Sequence, residues 1–258
     1  MTLNRRDALK LGAAAAAGLG PSLSIATTAR AMTMSEYAYT LGGGAVSVHP
    51  VSHASLALTL PGMVAYVDPV GDTSAYESLP QPDLILVTHE HGDHFKLETL
   101  AALMGDSTRL VVNPAVFGLL PAELQTVATA LGNGDGTTIG DVAIHAIPAY
   151  NSTPERMNYH PEGRDNGYVL TLDGGRVYIA GDTEDIPAMR ALEGIDIAFL
   201  PMNPPYTMDI EQAASAVSDF APKVVFPYHY RGSDTEAFAA LVRNGGTATE
   251  VVLHDWYA

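Results

Sequence analysis

The sequence contains no cysteine. Disulfide staples are therefore excluded, and so are metal sites built on thiolates, which leaves histidine and carboxylates as the ligand types. Basic residues are scarce as well: 13 Lys and Arg stand against 29 Asp and Glu, a formal net charge of −16. Such a field repels polyphosphates and nucleic acid, which bind largely by displacing counterions onto Lys and Arg. The expected partner is a small-molecule substrate, not nucleic acid. Beyond the N-terminus no uncharged apolar run reaches the roughly 18 residues that a spanning helix needs, so no membrane span is expected in the mature chain. What is plentiful is apolar residues, 47% of 258, enough for one sizeable core. No sequence repeat, low-complexity stretch or linker divides it.

The N-terminus reads as an address label. Asn4-Arg5-Arg6-Asp7-Ala8-Leu9-Lys10 leads into an Ala/Gly-rich, mildly apolar stretch from Leu11 to Ile25, and Ala29-Arg30-Ala31 places small residues where a signal peptidase cuts. The pattern resembles a twin-arginine export signal. It implies two segments, residues 1–31 as signal and 32–258 as the mature domain, and a periplasmic or otherwise exported protein. Without residues 1–31, nine basic residues face twenty-eight acidic ones, a net charge of −19.

From Tyr37 onward, short apolar segments broken by Gly and Pro predict strands at 37–41, 45–48, 55–60, 64–67 and 83–88. Helical spacing follows at 97–104 and 114–120, with a strand at 110–112 between them. The second half predicts strands at 142–147, 168–172, 177–180, 195–200, 224–227 and 248–253, and helices at 186–192, 210–220 and 236–242. A strand-rich opening followed by strand–helix alternation predicts an α/β fold with sheets covered by helices.

The densest chemistry is Val87-Thr88-His89-Glu90-His91-Gly92-Asp93-His94. Imidazole and carboxylate are the ligands zinc takes when thiolates are absent. His89 and His91, two apart at the end of an extended strand, can face one ion. Asp93 and His94 follow a glycine, where the chain can turn to serve a second.

This H-x-H-x-D-H string resembles that of the metallo-β-lactamase superfamily. The likeness extends to Tyr66-Val67-Asp68-Pro69, Ala180-Gly181-Asp182-Thr183-Glu184 and Pro227-Tyr228-His229-Tyr230, in order and rough spacing. With His53-Ala54-Ser55 and Pro148-Ala149-Tyr150-Asn151, the chain is similar to the branch containing ascorbate-phosphate lactonase and N-acyl-phosphatidylethanolamine phospholipase D. The resemblance implies an αββα sandwich and a metal-dependent hydrolase. It implies that Asp182 bridges two ions and that His229 completes the second site with Asp93 and His94. Asp68 is expected either to orient a ligand imidazole or to open a turn before Pro69, and His53 to hydrogen-bond substrate or an activated water. Tyr206, Tyr228, Tyr230 and Arg231 are candidate cleft residues; His49, His145 and His254 are expected to be structural.

One position departs from the pattern. Asn151 stands where most relatives offer a third histidine for the first ion, and asparagine is a poor zinc ligand. His160, nine residues on in a Gly/Pro-rich loop, is the expected replacement; without it the first site is weak or empty. The cofactor expected is zinc, two ions or one, with iron and manganese also compatible with these donors. Two ions would activate water against an ester, lactone, amide or phosphodiester, with Asp182 fixing the ions and Asp93 accepting a proton. Two alternatives remain: a non-catalytic metal- or ligand-binding protein on the same scaffold, and an iron-dependent redox enzyme.

Overall fold

The computed structural model describes residues 37–258. The signal expected over residues 1–31 lies outside them. The chain opens with an antiparallel meander of β1 (Tyr37–Leu41), β2 (Gly44–Ser52), β3 (Ser55–Leu60) and β4 (Met63–Val67). Three strands then add in parallel: β5 (Leu84–Val87), β6 (Arg109–Val112) and β7 (Ala128–Ala130). A 3₁₀ turn at Thr73–Tyr76, helix α1 (Leu97–Leu103), and the pair α2 (Pro114–Leu119) and α3 (Ala122–Gln125) make the crossovers.

The second sheet repeats this plan. Its meander is β8 (Gly136–Ile139), β9 (Val142–Ala149), β10 (Asp165–Leu172) and β11 (Gly175–Ile179). After α4 (Pro187–Arg190) comes β12 (Ile197–Pro201), after α5 (Ile210–Phe220) comes β13 (Val224–Tyr228), and after α6 (Thr235–Asn244) comes β14 (Glu250–Val251), all parallel. The repeat is one of topology. It is invisible as sequence similarity because the two sheets need only the same alternation of apolar positions, not the same residues.

That alternation builds three cores. Along β5, Leu84 and Leu86 point between the sheets, while Ile85 and Val87 point to the first helical layer. Along β13, Val224, Phe226 and Tyr228 point between the sheets and Val225 to the second helical layer. A parallel strand covered on both faces must be apolar on both, which is why β5, β12 and β13 read as continuous apolar runs. The layers are helix, sheet, sheet, helix: the αββα sandwich expected. The sequence missed β7, β8 and α3, which are short and little buried, and overran β14. Among the described residues no helix is long and apolar enough to cross a membrane.

Candidate metal centre

The site lies past the carboxyl ends of the central strands, where chain leaving each sheet must turn. Three of those turns use left-handed backbone at non-glycine residues: His53 (φ 52°), Asp68 (φ 44°) and His229 (φ 44°). Such strain persists only where surrounding contacts hold it and is concentrated at functional positions. Gly181, one residue before Asp182, has φ 65°, and a Cβ there would come 2.7 Å from the carbonyl oxygen of Asn166. Only glycine fits this turn.

Asp182, His89, His94, His160 and His229 are all buried. The Asp182 carboxylate sits among their imidazoles. Its Oδ1 is 3.3 Å from His94 Nε2, and its Oδ2 is 3.3 Å from His229 Nε2, 3.4 Å from His160 Nε2 and 4.0 Å from His89 Nε2. Three overlapping groups of donors can be drawn: His89, His91 and His160; His53, Asp93, His94 and His229; and His89, His94 and Asp182. Six of the nine histidines thus converge from four separate segments, and Asp182 comes from a fifth.

Second partners hold the rings. Asp68, fully buried, accepts from the Thr88 N–H (2.7 Å), the Thr88 hydroxyl (2.7 Å) and His94 Nδ1 (2.8 Å). The Thr88 hydroxyl, its proton given to Asp68, is left to accept from His89 Nδ1 at 2.9 Å. His160 Nδ1 donates to Asp165 at 2.9 Å, and Arg164 clamps Asp165 through Nε (2.6 Å) and Nη2 (2.9 Å). With Nδ1–H engaged in each case, the hydrogen-bond network assigns the Nε2 lone pair to the site. Of the two roles open to Asp68, orienting an imidazole is the one its contacts display.

Several donor atoms of the cluster have no other use. His89 Nε2, His94 Nε2, both ring nitrogens of His229 and Asp182 Oδ1 are buried with no hydrogen-bond partner. Leaving one such group unpaired costs about 1–3 kcal/mol, so a cluster of them aimed at one another needs a cation. Two donors each 2.0–2.1 Å from a tetrahedral ion lie about 3.3–3.4 Å apart, the spacing of Asp182 from His94, His229 and His160. The residues fit a metal centre.

The electrostatics agree. Burial works against the charged form of His94, but Asp182 and Asp68 overcome it and raise its pKa well above the ordinary value. Burial likewise opposes the charge on His160, yet Asp165 and Asp182 push it up to about 9. Burial favours a neutral Asp182, but the charges of His229 and His94 outweigh it and hold the carboxyl well below the usual range. The metal-free centre therefore favours a proton on His94 and His160, whereas burial lowers the pKa of His89 and His91.

The loop brings His160 within reach of His89 and His91, and Asn151 has a different task. Its backbone N–H donates to the His160 carbonyl at 2.8 Å, and its Nδ2 donates to the carbonyls of Tyr206 (2.7 Å) and Arg156 (3.1 Å). It closes the loop that delivers His160. Buried Glu184 anchors the same loop, accepting from the Ser152 and Thr153 N–H groups at 2.7 Å each and from Arg156 at 2.8 Å. Sequence reasoning gave no role to Glu184, Asp165 or Thr88; Thr88 and Glu184 did stand inside quoted motifs.

Asp93 and His53 occupy the open side. His53 Nε2 lies 3.2 Å from Asp93 Oδ2, its Nδ1 2.8 Å from the Tyr257 hydroxyl, and its ring 3.9 Å from that of His229. Burial lowers the pKa of His53. Burial alone would raise Asp93, but the nearby imidazoles of His229, 3.4 Å away, and His53 hold it far below the usual carboxylate range. A cleft of about 540 Å³ opens beside these groups, lined also by Val70, Tyr159, Asn203, Tyr206 and Arg231. Tyr228 and Tyr230 do not line it. Strand alternation turns Tyr228 into the inter-sheet core, and Tyr230 packs on both neighbouring cores. His49 bonds Thr59 at 3.2 Å, His254 bonds Tyr37 at 3.1 Å, and His145 faces solvent.

The family described as the β-lactamase superfamily domain matches residues 47–229. A UPF0173 metal-dependent hydrolase of Thermococcus kodakarensis is 35% identical over 182 residues, spanning 67% of this chain and 79% of that protein. This chain belongs to the UPF0173 family of the metallo-β-lactamase superfamily. A UPF0173 relative in Lysinibacillus sphaericus is 30% identical over 224 residues, 77% of this chain and 92% of that protein. Among solved structures, a Parabacteroides distasonis protein named as a metal-dependent hydrolase superposes with a TM-score of 0.77 at 41% identity, over 84% of this chain and 97% of that one. The superfamily's metal-dependent character agrees with the orphaned donor cluster around Asp182.

Proposed function

We propose that this protein is an exported hydrolase whose centre holds two divalent ions, zinc first among them, and cuts a small-molecule ester, lactone, amide or phosphodiester. The observation that carries this reading is the set of buried, partnerless ligand atoms spaced around Asp182. His89, His91 and His160 would hold one ion, Asp93, His94 and His229 the other, and Asp182 both. Such ions supply Lewis acidity and lower the pKa of bound water toward about 7. The chain's own groups do the rest. Asp68, Thr88 and Asp165 fix the ring tautomers, and the buried walls keep the donors dry. The Asp93–His53 pair faces the cleft, where a proton released during attack can be taken at Asp93 Oδ2 and shared with His53. The motifs shared with the ascorbate-phosphate lactonase and phospholipase D branch add support for a lactone or phosphodiester. Metal analysis of protein from its native compartment, with a screen of chromogenic lactones, esters and phosphodiesters, tests the reading. Two zinc ions with metal-dependent turnover are expected; iron, or full metal without turnover, would favour a redox or a binding protein.

Two narrower outcomes follow. Replacing Arg5 and Arg6 together by Lys should leave an uncleaved cytoplasmic precursor; normal export of that variant would refute the twin-arginine reading. His160→Ala should lower the metal content from about two ions toward one while sparing the ion of Asp93, His94 and His229. Asn151→Ala should act less directly, by loosening the loop. Because a protonated imidazole cannot ligate, and His160 carries its proton up to about pH 9 in the metal-free protein, wild-type affinity should rise with pH across the neutral range. Titrations at pH 6, 7 and 8 measure this, and a flat profile would remove His160 from the ligand set.

A further inference from the structure

Arg231 is the one lysine or arginine among the cleft-lining residues. In a chain with more than twice as many acids as bases, the neighbouring arginines are neutralised: Arg156 by Glu184, and Arg164 by Asp165 and Glu90. Among the described residues Arg231 has no ion pair with a carboxylate, although it is exposed and close to an acidic centre. Its guanidinium instead lies 5.0 Å from the centroid of the Tyr257 ring. The Arg231 backbone N–H donates to the Tyr257 hydroxyl at 3.0 Å, and that hydroxyl also bonds His53 Nδ1 at 2.8 Å. Tyr230 packs edge-on against Tyr257 at 5.1 Å and donates its own hydroxyl to the His254 carbonyl. The platform is thus wedged, and the cation on it is held near the open side of the centre with its donors unused.

We infer that Arg231, seated on Tyr257, is an anion-binding arm, and that the substrate is a small ester, lactone or amide carrying a carboxylate apart from the bond that is cut. This rests on the hydrolase reading above. A guanidinium has no lone pair to offer a metal ion, so Arg231 meets a part of the substrate away from the metal donors. A guanidinium presents paired N–H donors that match a carboxylate's two oxygens. One cation neutralises one charge. A phosphate monoester brings nearly two, and the surrounding field, set by a net charge of −16, opposes the excess. The uncharged body of such a substrate has Val70 and the edge-to-face pair Tyr159–Tyr206, 4.9 Å apart, to lie against.

The test compares two chromogenic esters on the metal-loaded full chain: p-nitrophenyl hydrogen adipate and its neutral methyl ester, which share leaving group and chain length. The wild type should prefer the anion in kcat/KM. Arg231→Gln should reduce that preference about tenfold or more, chiefly through KM, because it removes a charge-assisted hydrogen bond. Arg231→Lys should restore part of it. Tyr257→Phe, which keeps the ring under the guanidinium, should retain the preference, whereas Tyr257→Ala should lose it. An unchanged ratio in Arg231→Gln overturns the inference. So does a stronger, Arg231-dependent preference for p-nitrophenyl 5-phosphonopentanoate, which would assign the arm to a phosphate-type dianion. If neither ester turns over, the wider screen of lactones, amides and phosphodiesters decides the hydrolase reading separately, and calorimetric binding of monomethyl adipate decides the arm. Tenfold weaker binding by Arg231→Gln supports it, and equal binding overturns it.

Discussion

Asp182→Asn should leave a folded protein that retains less than one equivalent of metal and hydrolyses about a thousandfold more slowly, or not at all. The substitution keeps size and shape, so the change is one of charge and donor type. The carboxylate is 3.3–3.4 Å from the Nε2 atoms of three buried histidines and 4.0 Å from a fourth. An amide has one good acceptor where the carboxylate has two, and its NH₂ would face imidazole nitrogens that lie open to a cation. Loss of several kcal/mol of charge stabilisation corresponds to about three orders of magnitude in rate. Metal content by elemental analysis and turnover of whichever ester the wild type accepts are the two measurements. A variant with two ions and full turnover would remove Asp182 from the centre and the bridging reading with it.

Asp68→Asn should weaken metal binding by about 10–100-fold, the usual effect of removing the group that orients a ligand. Its reason is a tautomer. In the wild type His94 Nδ1–H donates to Asp68 Oδ2 at 2.8 Å, leaving the Nε2 lone pair toward Asp182 and the centre. The asparagine can still accept from the Thr88 N–H, but its NH₂ then faces the Thr88 hydroxyl and His94 Nδ1. His94 must turn Nδ1 into an acceptor and place its proton on Nε2, where a ligand lone pair is required. Thr88, its proton no longer taken, also ceases to be a clean acceptor for His89. Asp68→Ala should be worse for the fold itself. It strands a buried N–H, a hydroxyl and an imidazole at once, and losses of about 3–5 kcal/mol are typical when a buried charged partner is removed. Denaturant melts of metal-free protein report the second effect and competitive chelator titrations the first. Unchanged affinity in Asp68→Asn would mean that His94 does not depend on Asp68.

How much could be read beforehand depended on distance along the chain. The apolar runs of β5, β12 and β13 announce buried parallel strands because both faces of each must be covered. His89, His91, Asp93 and His94 announce a site because they lie within six residues at the end of one such strand, where extended backbone and a glycine turn leave few other uses for them. Asp182 and His229 also follow apolar strand ends, but Asp182 by itself reads as a turn residue beside Gly181. It is the resemblance of the surrounding motifs to the metallo-β-lactamase superfamily that marks both. Absent cysteine restricts the possible donors to the histidines and carboxylates that cluster there.

Other features depend on groups far apart in sequence. Nothing local distinguishes Asp165 as the partner of His160, or Glu184 as the anchor of the 151–160 loop 31–32 residues before it. Asn151 looks like a missing ligand and is a clasp, because the backbone of His160 returns to it only once that loop has closed. Tyr257 meets His53 across 204 positions, and Arg231 stands in the cleft with no carboxylate partner among the described residues only because of how the chain folds. The sequence by itself determined the layers, the strand ends and the donor types, because alternation and ligand chemistry act on a residue and its near neighbours. Tertiary structure alone decided which imidazole nitrogen faces the centre, how the loop carrying His160 is closed and which charge is left without a carboxylate among the described residues, because each of these is fixed by contacts between segments far apart in sequence that only the folded chain brings together.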